Sequence, residues 1–413
     1  MKKTKLAFIL IIILISWLIQ GIDGAIASNS RSYLRVGVVR GAKNFSISNI
    51  DYAKSKEFAN ILRKARVPLN YTLNLELEKN EYFKVSGART GLKKFKIYPK
   101  KDSFVKINGN PYRGNFEVYI KSGAAYVVNE ISLEDYLKGV IACEMEPESE
   151  LEALKAQAIV ARTYTIITAG KHKSLGYDIC SSTCCQVYKG VAHETQKTNT
   201  AVAQTAGMTI EYKGSPINSY YCSSCGGYTE SVDAAWPGAK SASYLKVIRC
   251  PYCEKDDKVE WQYKISKSEF ISKMRSKGFE VSDITYAKVE DSTNSGRFYT
   301  LELHDKSGPL FMSTDEIRKI FGNNKIKSSY FKVSISGGTS KFKQRGNKLD
   351  EIINEKSAFN RKNFENSYII FTGSGHGHGV GMCQNGAKKM AESGKSCREI
   401  IKFYFTDRVS ISR

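Results

Sequence analysis

The spacing of apolar positions changes character along the chain. Residues 33–39 (Tyr-Leu-Arg-Val-Gly-Val-Val) predict a strand, and 71–77 (Tyr-Thr-Leu-Asn-Leu-Glu-Leu) alternate with the period of two of a half-buried strand. Apolar residues at 116–120 and 125–128 flank Lys121-Ser122-Gly123, which reads as a hairpin. From 131 the spacing turns helical. Ile131, Tyr136, Leu137, Val140 and Ile141 predict a helix over 131–142, and Pro147 breaks it. Ser149 with Glu152 three positions on is the signature of a capping box, and Leu151, Leu154, Ala158 and Ala161 continue as a second helix. Glu144 is then expected in the short connection between the two. Short strands are expected among the Gly and Ser of 186–236. Helices are expected at 266–277 and 314–321, with strands near 299–303 and 330–336. Residues 337–366 are polar and basic and read as a surface loop. A strand from 369 runs into a Gly- and His-rich loop, and helices at 384–391 and 397–404 close the chain.

These elements predict an α+β fold: antiparallel sheets with packed helices, in two intertwined lobes around a central cleft. A basic, β-rich region (28–130) precedes the chemistry-bearing region (131–413), within which 266–336 forms an α/β lobe. The N-terminus adds a compartment. Lys2, Lys3 and Lys5 precede an apolar run over 6–22, followed by Ala25-Ile26-Ala27 before Ser28. Residues 1–27 therefore read as a secretory signal or, since a bilayer needs about 20 residues, an uncleaved membrane anchor. The protein is expected outside the cytoplasm, secreted or anchored.

Lys and Arg number 63 against 41 Asp and Glu, a formal charge of +22 that calls for an anionic partner. Export removes nucleic acid from the choices and leaves membrane headgroups and wall polymers. The composition, 41% hydrophobic and 25% charged, excludes a mainly disordered chain.

Three constellations carry chemistry. Glu144 sits among Val140, Ile141, Ala142, Cys143 and Met145, and apolar surroundings raise a carboxyl pKa and suit it to general-acid work; a surface ion pair at a helix end is the plainer reading. Gly373-Ser-Gly-His376-Gly-His378-Gly-Val-Gly-Met-Cys-Gln384 places glycine at alternate positions, where backbone can approach closely. Two of the five His fall two apart there and would share one face of an extended segment. Cys222-x-x-Cys225 and Cys250-x-x-Cys253 have spacing near that of a zinc ribbon, while Cys180, Cys184 and Cys185 form a second cluster with His172 upstream. Zinc, disulfides and buried free thiols all remain open for both clusters.

Three strings together are distinctive. They are Leu133-Glu-Asp-Tyr-Leu-Lys-Gly-Val continuing through Cys-Glu144-Met and Glu152-Ala-Leu-Lys-Ala-Gln-Ala-Ile-Val-Ala-Arg-Thr-Tyr164; Cys185-Gln-Val-Tyr-Lys-Gly190 with Gly226-Gly-Tyr-Thr-Glu230; and Gly375-His-Gly-His-Gly-Val-Gly-Met-Cys-Gln-Asn-Gly-Ala387. In this order they resemble the SpoIID/LytB family, the group of sporulation stage II protein D, over much of 131–410.

The resemblance implies a peptidoglycan lytic transglycosylase that cuts the MurNAc–GlcNAc bond of peptide-free glycan during forespore engulfment. It implies Glu144 as the catalytic acid. Arg162, Tyr164, Gln186, Tyr188, Tyr221, His376, His378 and Gln384 are then expected in the substrate cleft. No cofactor is required for the chemistry. A structural zinc is implied at Cys180, Cys184, Cys185 and His172, with Cys222, Cys225, Cys250 and Cys253 as the other cluster. Glycan strands, a cell-wall amidase and engulfment membrane proteins are the implied partners. The chain departs from the family in placing Glu146 before Pro147 and in its extra thiols, Cys383 among them. Two other functions fit the same residues: a non-enzymatic amidase enhancer, and a zinc amidase using His376 and His378.

Overall fold

The computed structural model describes residues 33–69, 72–253, 260–336, 367–406 and 408–413. The expected signal or anchor and the expected surface loop at 337–366 lie outside the described residues. Among the described residues, no helix is long and apolar enough to cross a membrane. The chain divides into two compact units, and each draws on two separate stretches: 33–136 with 170–184, and 137–169 with 185–413.

The first unit is built on two sheets. One has five strands in the order Ile179–Cys180, Leu34–Ala42, Ala124–Ile131, Asn115–Lys121, Lys94–Ile97; all pairings are antiparallel except that of the short Ile179–Cys180 strand. The expected hairpin is its centre, turned by Ser122 and Gly123, both at positive φ. The other sheet has six antiparallel strands, and its Leu73–Glu78 strand begins with the alternation of buried leucine and exposed polar residues that its sequence predicts. The helix Lys56–Lys64 was not signalled between these strands.

The second unit is organised around the helix Leu151–Thr168. Eleven of its eighteen residues are buried, including Ala153, Ala156, Ala158 and Ala161, whose small side chains let neighbouring segments approach on several sides. One core gathers this helix with the 208–253 and 380–411 segments. A second core is formed by 261–371, from two three-stranded antiparallel sheets and the helices Lys267–Arg275 and Thr314–Phe321.

The α+β class is as expected, and several local readings are corrected. The strand ending at Ile131 displaces the predicted helix start, so the helix runs Leu133–Glu144 and includes Glu144 as its last residue. The capping box at Ser149 does not form. The N-cap is Glu150, one residue later, and the Glu152 carboxylate instead takes the Cys397 amide at 2.8 Å and Lys155 at 2.7 Å. Capping boxes do form at Thr195, Ser313 and Ser396. The helix Gln196–Gln204 and the strands Glu260–Ser266 and Tyr286–Ser292 are not signalled by the sequence pattern.

Candidate functional site

Glu144 ends its helix beside the buried Val140, Ile141 and Met145. The last carbonyls of a helix lack intrahelical partners. That of Glu144 is satisfied from 240 residues away, by Gln384 Nε2 at 2.9 Å; the same nitrogen reaches Gln157 Oε1 at 3.3 Å. The carboxylate is half-buried. Its Oε1 accepts the Val187 amide at 2.6 Å, and the Tyr221 hydroxyl donates to it. Burial raises its pKa above the ordinary carboxyl value, and the Val187 and Tyr221 hydrogen bonds only partly offset this. A helix C-terminus also disfavours a negative charge.

A hydrogen-bond chain orients Tyr221. Thr165 Oγ1 donates to Gln186 Oε1 at 2.7 Å, Gln186 Nε2 donates to Tyr221 Oη at 3.2 Å, and Tyr221 donates to Glu144. Gln186 is buried, so it acts through Tyr221. Glu146, the extra carboxylate, points to solvent and pairs with Lys388 at 3.1 Å.

Half-buried rings continue from this point. Tyr164 lies 6.2 Å from Tyr221 and 6.0 Å from Tyr220; Tyr220 lies 4.9 Å from Trp236, and Trp236 lies 5.0 Å from His378. Tyr220 and Trp236 were missed in the sequence because neither carries a motif of its own, although adjacent Tyr220-Tyr221 was a usable signal.

Two expected cleft residues are corrected. Arg162 is 1% exposed and spends its guanidinium on the carbonyls of Met208 at 3.2 Å and Val202 at 3.4 Å, tying helix to helix inside the core. Tyr188 is 2% exposed and packs on the helix at Gly139, where a Cβ would stand 2.7 Å from its ring. Neither presents a face to a ligand.

The Gly-His loop is not extended, so its histidines do not share a face. Gly375, Gly377, Gly379 and Gly381 all have positive φ. His376 is exposed. His378 is held at both nitrogens, its Nδ1 accepting the Val380 amide at 3.0 Å and its other nitrogen engaging the Tyr221 backbone. Burial and nearby Arg297 lower its pKa to about 4, so it is neutral. At Gly381 (φ +76°) a Cβ would fall 2.0 Å from the Tyr220 carbonyl oxygen. Gly381→Ala is therefore expected to cost about 1–3 kcal/mol in conformation alone, with the clash added. Chemical denaturation checks it, and an unchanged unfolding midpoint would contradict it.

Two groups of cysteines stand out among the described residues. In the first unit, His172, Cys180 and Cys184 bring their ligand atoms within 4.8 Å of one another, with Cys184 Sγ 3.7 Å from His172 Nε2; Cys185 follows directly in the chain. Imidazole with thiolates is a donor set suited to zinc. In the second unit the group is Cys225, Cys250, Cys253 and Cys383. The sequence-predicted set is corrected here: Cys222 lies outside the group, and Cys383 takes the place expected for it.

Comparison with known proteins gives a consistent picture. Residues 121–212 match the SpoIID family model, described as stage II sporulation protein. The chain is 31% identical over 334 residues to an uncharacterised protein of Brachyspira hyodysenteriae, covering 79% of this chain and 81% of that one. It is 31% identical over 297 residues to the stage II sporulation protein D of Bacillus subtilis, covering 67% of this chain and 74% of the relative. The amidase enhancer of Bacillus subtilis is 29% identical over 351 residues, 73% of this chain but 44% of that longer protein.

Proposed function

The chain belongs to the SpoIID family of stage II sporulation proteins, and from that premise we propose that it is a cell-wall enzyme of sporulation, a lytic transglycosylase acting on peptide-free peptidoglycan glycan. The observation that carries this reading is a single half-buried carboxyl of raised pKa, Glu144, oriented by the Val187 amide and the Tyr221 hydroxyl.

Hydrolytic glycosidases use two carboxyl groups, one of which activates water or attacks the sugar. Here the groups around Glu144 are an amide, a phenol and a carboxamide, and Glu146 is turned to solvent. One carboxyl suffices for intramolecular transfer. Protonated Glu144 gives its proton to the glycosidic oxygen as the bond from C1 of MurNAc breaks. The resulting carboxylate then takes the proton of the C6 hydroxyl of the same sugar, and that oxygen closes on C1. Glu144 returns to its protonated form, and the products are a free GlcNAc hydroxyl end and a 1,6-anhydro-MurNAc end. Tyr221 steadies the carboxylate between the two transfers.

The half-buried rings Tyr164, Tyr220 and Trp236 offer faces for sugar stacking. Trp236→Ala is expected to weaken binding of peptide-free glycan by about tenfold, the equivalent of about 1.4 kcal/mol. A co-sedimentation assay reads this, and unchanged binding would remove Trp236 from the substrate surface. The charge of +22 favours anionic wall polymers, an attraction that salt weakens. A zinc ion would be held in the first unit by His172, Cys180 and Cys184, with Cys185 adjacent in sequence. It would act as a structural tie and supply no chemistry to the cleavage.

Mass analysis of products from peptide-free glycan tests the proposal. The expected fragments are lighter by one water than products of hydrolysis; none formed, or hydrolytic products alone, would overturn it. The relative named an amidase enhancer supports a second reading, a binding role alongside a wall amidase. Stimulation of an amidase by a protein that releases no anhydro sugar would favour it. An amidase built on His376 and His378 has little support, because both nitrogens of His378 are engaged.

A further inference from the structure

We propose that Cys225, Cys250, Cys253 and Cys383 form a closed four-thiolate zinc site in the second unit, separate from the His172 cluster. The four thiols come from three stretches of chain, with Cys383 lying 158 residues beyond Cys225 and 130 beyond Cys253. All are at most 1% exposed. Their sulfurs lie within 4.8 Å of one another, and the Cys253–Cys383 pair is 3.2 Å apart. A tetrahedral zinc with bonds of about 2.3 Å has sulfur–sulfur edges of about 3.8 Å, so the observed spread brackets the cage. Four sulfurs and no oxygen select a soft, tetrahedral ion.

The surroundings are those of thiolates rather than of apolar thiols. Cys383 Sγ accepts the amides of Cys225 at 3.2 Å and Gly386 at 3.4 Å, the latter at the first turn of the helix Gln384–Glu392. Ser224 Oγ approaches Cys253 Sγ at 3.8 Å, and Tyr404 Oη lies 3.2 Å from Cys250 Sγ. Wholly buried Arg297 donates to the Cys225 carbonyl at 2.6 Å and so places a cation beside the cage. On binding, four thiols release four protons to solvent and the divalent ion leaves a net charge of −2. The amides and Arg297 are placed to stabilise that charge.

The site bears on the candidate active centre through the chain itself. The strands Tyr221–Cys222 and Met382–Cys383 pair in parallel, Tyr221 beside Met382 and Cys222 beside Cys383. Tyr221 donates to the Glu144 carboxylate, and Gln384, next after Cys383, donates to its carbonyl. An ion held between Cys225 and Cys383 would fix both contacts. This link rests on the role proposed for Glu144; the metal count does not.

The test is zinc analysis and native mass spectrometry of full-length protein purified under reducing conditions. Cys184→Ser, at an exposed residue of the other cluster, isolates the site. That variant is expected to retain about one equivalent of zinc. On cobalt exchange it should show thiolate-to-cobalt charge transfer with the intense visible bands of a tetrahedral site. Adding Cys383→Ser or Cys250→Ser should remove that equivalent. Less than about 0.2 equivalents in Cys184→Ser, iron in place of zinc, or an intact mass short by two hydrogens per disulfide would each overturn the proposal. Those readings come from a variant that keeps all four thiols, so misfolding of the double variants does not blunt the test. If zinc is present while Glu144→Gln still releases anhydro products, the metal site stands and the catalytic reading falls.

Discussion

Glu144→Gln is expected to abolish release of 1,6-anhydro products, a loss of at least about 10²–10⁴-fold, the contribution of a positioned general acid, while leaving the fold intact. Gln keeps an oxygen for the Val187 amide, and the Tyr221 hydroxyl can turn to accept from its amide nitrogen. It cannot donate and recover a proton. The pH dependence has a definite sign. Burial raises the Glu144 pKa, and the reaction begins from the protonated acid, so activity falls as pH rises through that raised value. The stability relation runs the same way. A carboxyl whose pKa is raised on folding contributes stability below the ordinary carboxyl range of about 4.3, and this is lost as pH rises through the folded value. At neutral pH the neutral amide should therefore match or exceed wild type in unfolding midpoint. Quantitative product mass analysis from pH 4 to 9, alongside denaturant melts, reads both effects. Undiminished anhydro release by the variant would sink the assignment of Glu144.

Glu230→Ala is expected to destabilise the second unit by several kcal/mol, since a buried donor left without its acceptor costs about 1–3 kcal/mol. Glu230 is fully buried. Its Oε2 accepts from Thr293 at 2.7 Å, Ser295 at 2.7 Å and Tyr299 at 3.0 Å, and its Oε1 accepts the Ser231 amide at 2.8 Å. Truncation leaves four donors without their acceptor in a site closed to bulk water, and that desolvation cost is not recovered. The neighbouring Glu230 amide also holds the Gly379 carbonyl at 2.9 Å, so the Gly-His loop shares the damage. Urea unfolding followed by tryptophan fluorescence checks this, since Trp236 and Trp261 both lie in the second unit. A loss under about 1 kcal/mol would mean that rotated hydroxyls find other acceptors.

The legible and illegible parts of the site differ in a physical way. Glu144 could be singled out because its apolar sequence neighbours are local, at 140–145, whereas the Val187 amide and the Tyr221 hydroxyl that hold its carboxyl come from distant segments. Gln384 lies in a string recognisable by family resemblance and Tyr221 lies just outside one, and their shared contact with Glu144 is a matter of tertiary geometry. Tyr188 and Arg162 stand in equally recognisable strings, yet both are buried structural groups. A motif records that a residue type is needed and does not say whether it faces a ligand or a core. The alternate glycines misled in another way. Period-two spacing implies a shared face only for extended backbone, and positive φ at each glycine breaks that relation between His376 and His378. The failed capping box at Ser149 is a one-residue error, because Glu152 had a better partner in the Cys397 amide 245 residues away.

What the sequence determined by itself was the α+β class, most of the helices, the hairpin at 121–124 and the family resemblance. Each depends on interactions within a turn or two of chain, which periodicity and composition record. The tertiary structure alone decided that Cys383 rather than Cys222 completes the four-thiol group, that Gln384 meets Glu144, and which aromatic rings line up beside Tyr221. Those outcomes depend on atoms brought within 3–6 Å across separations of up to 240 residues. Packing and hydrogen-bond satisfaction select such contacts among many possible partners, and no local pattern carries that choice.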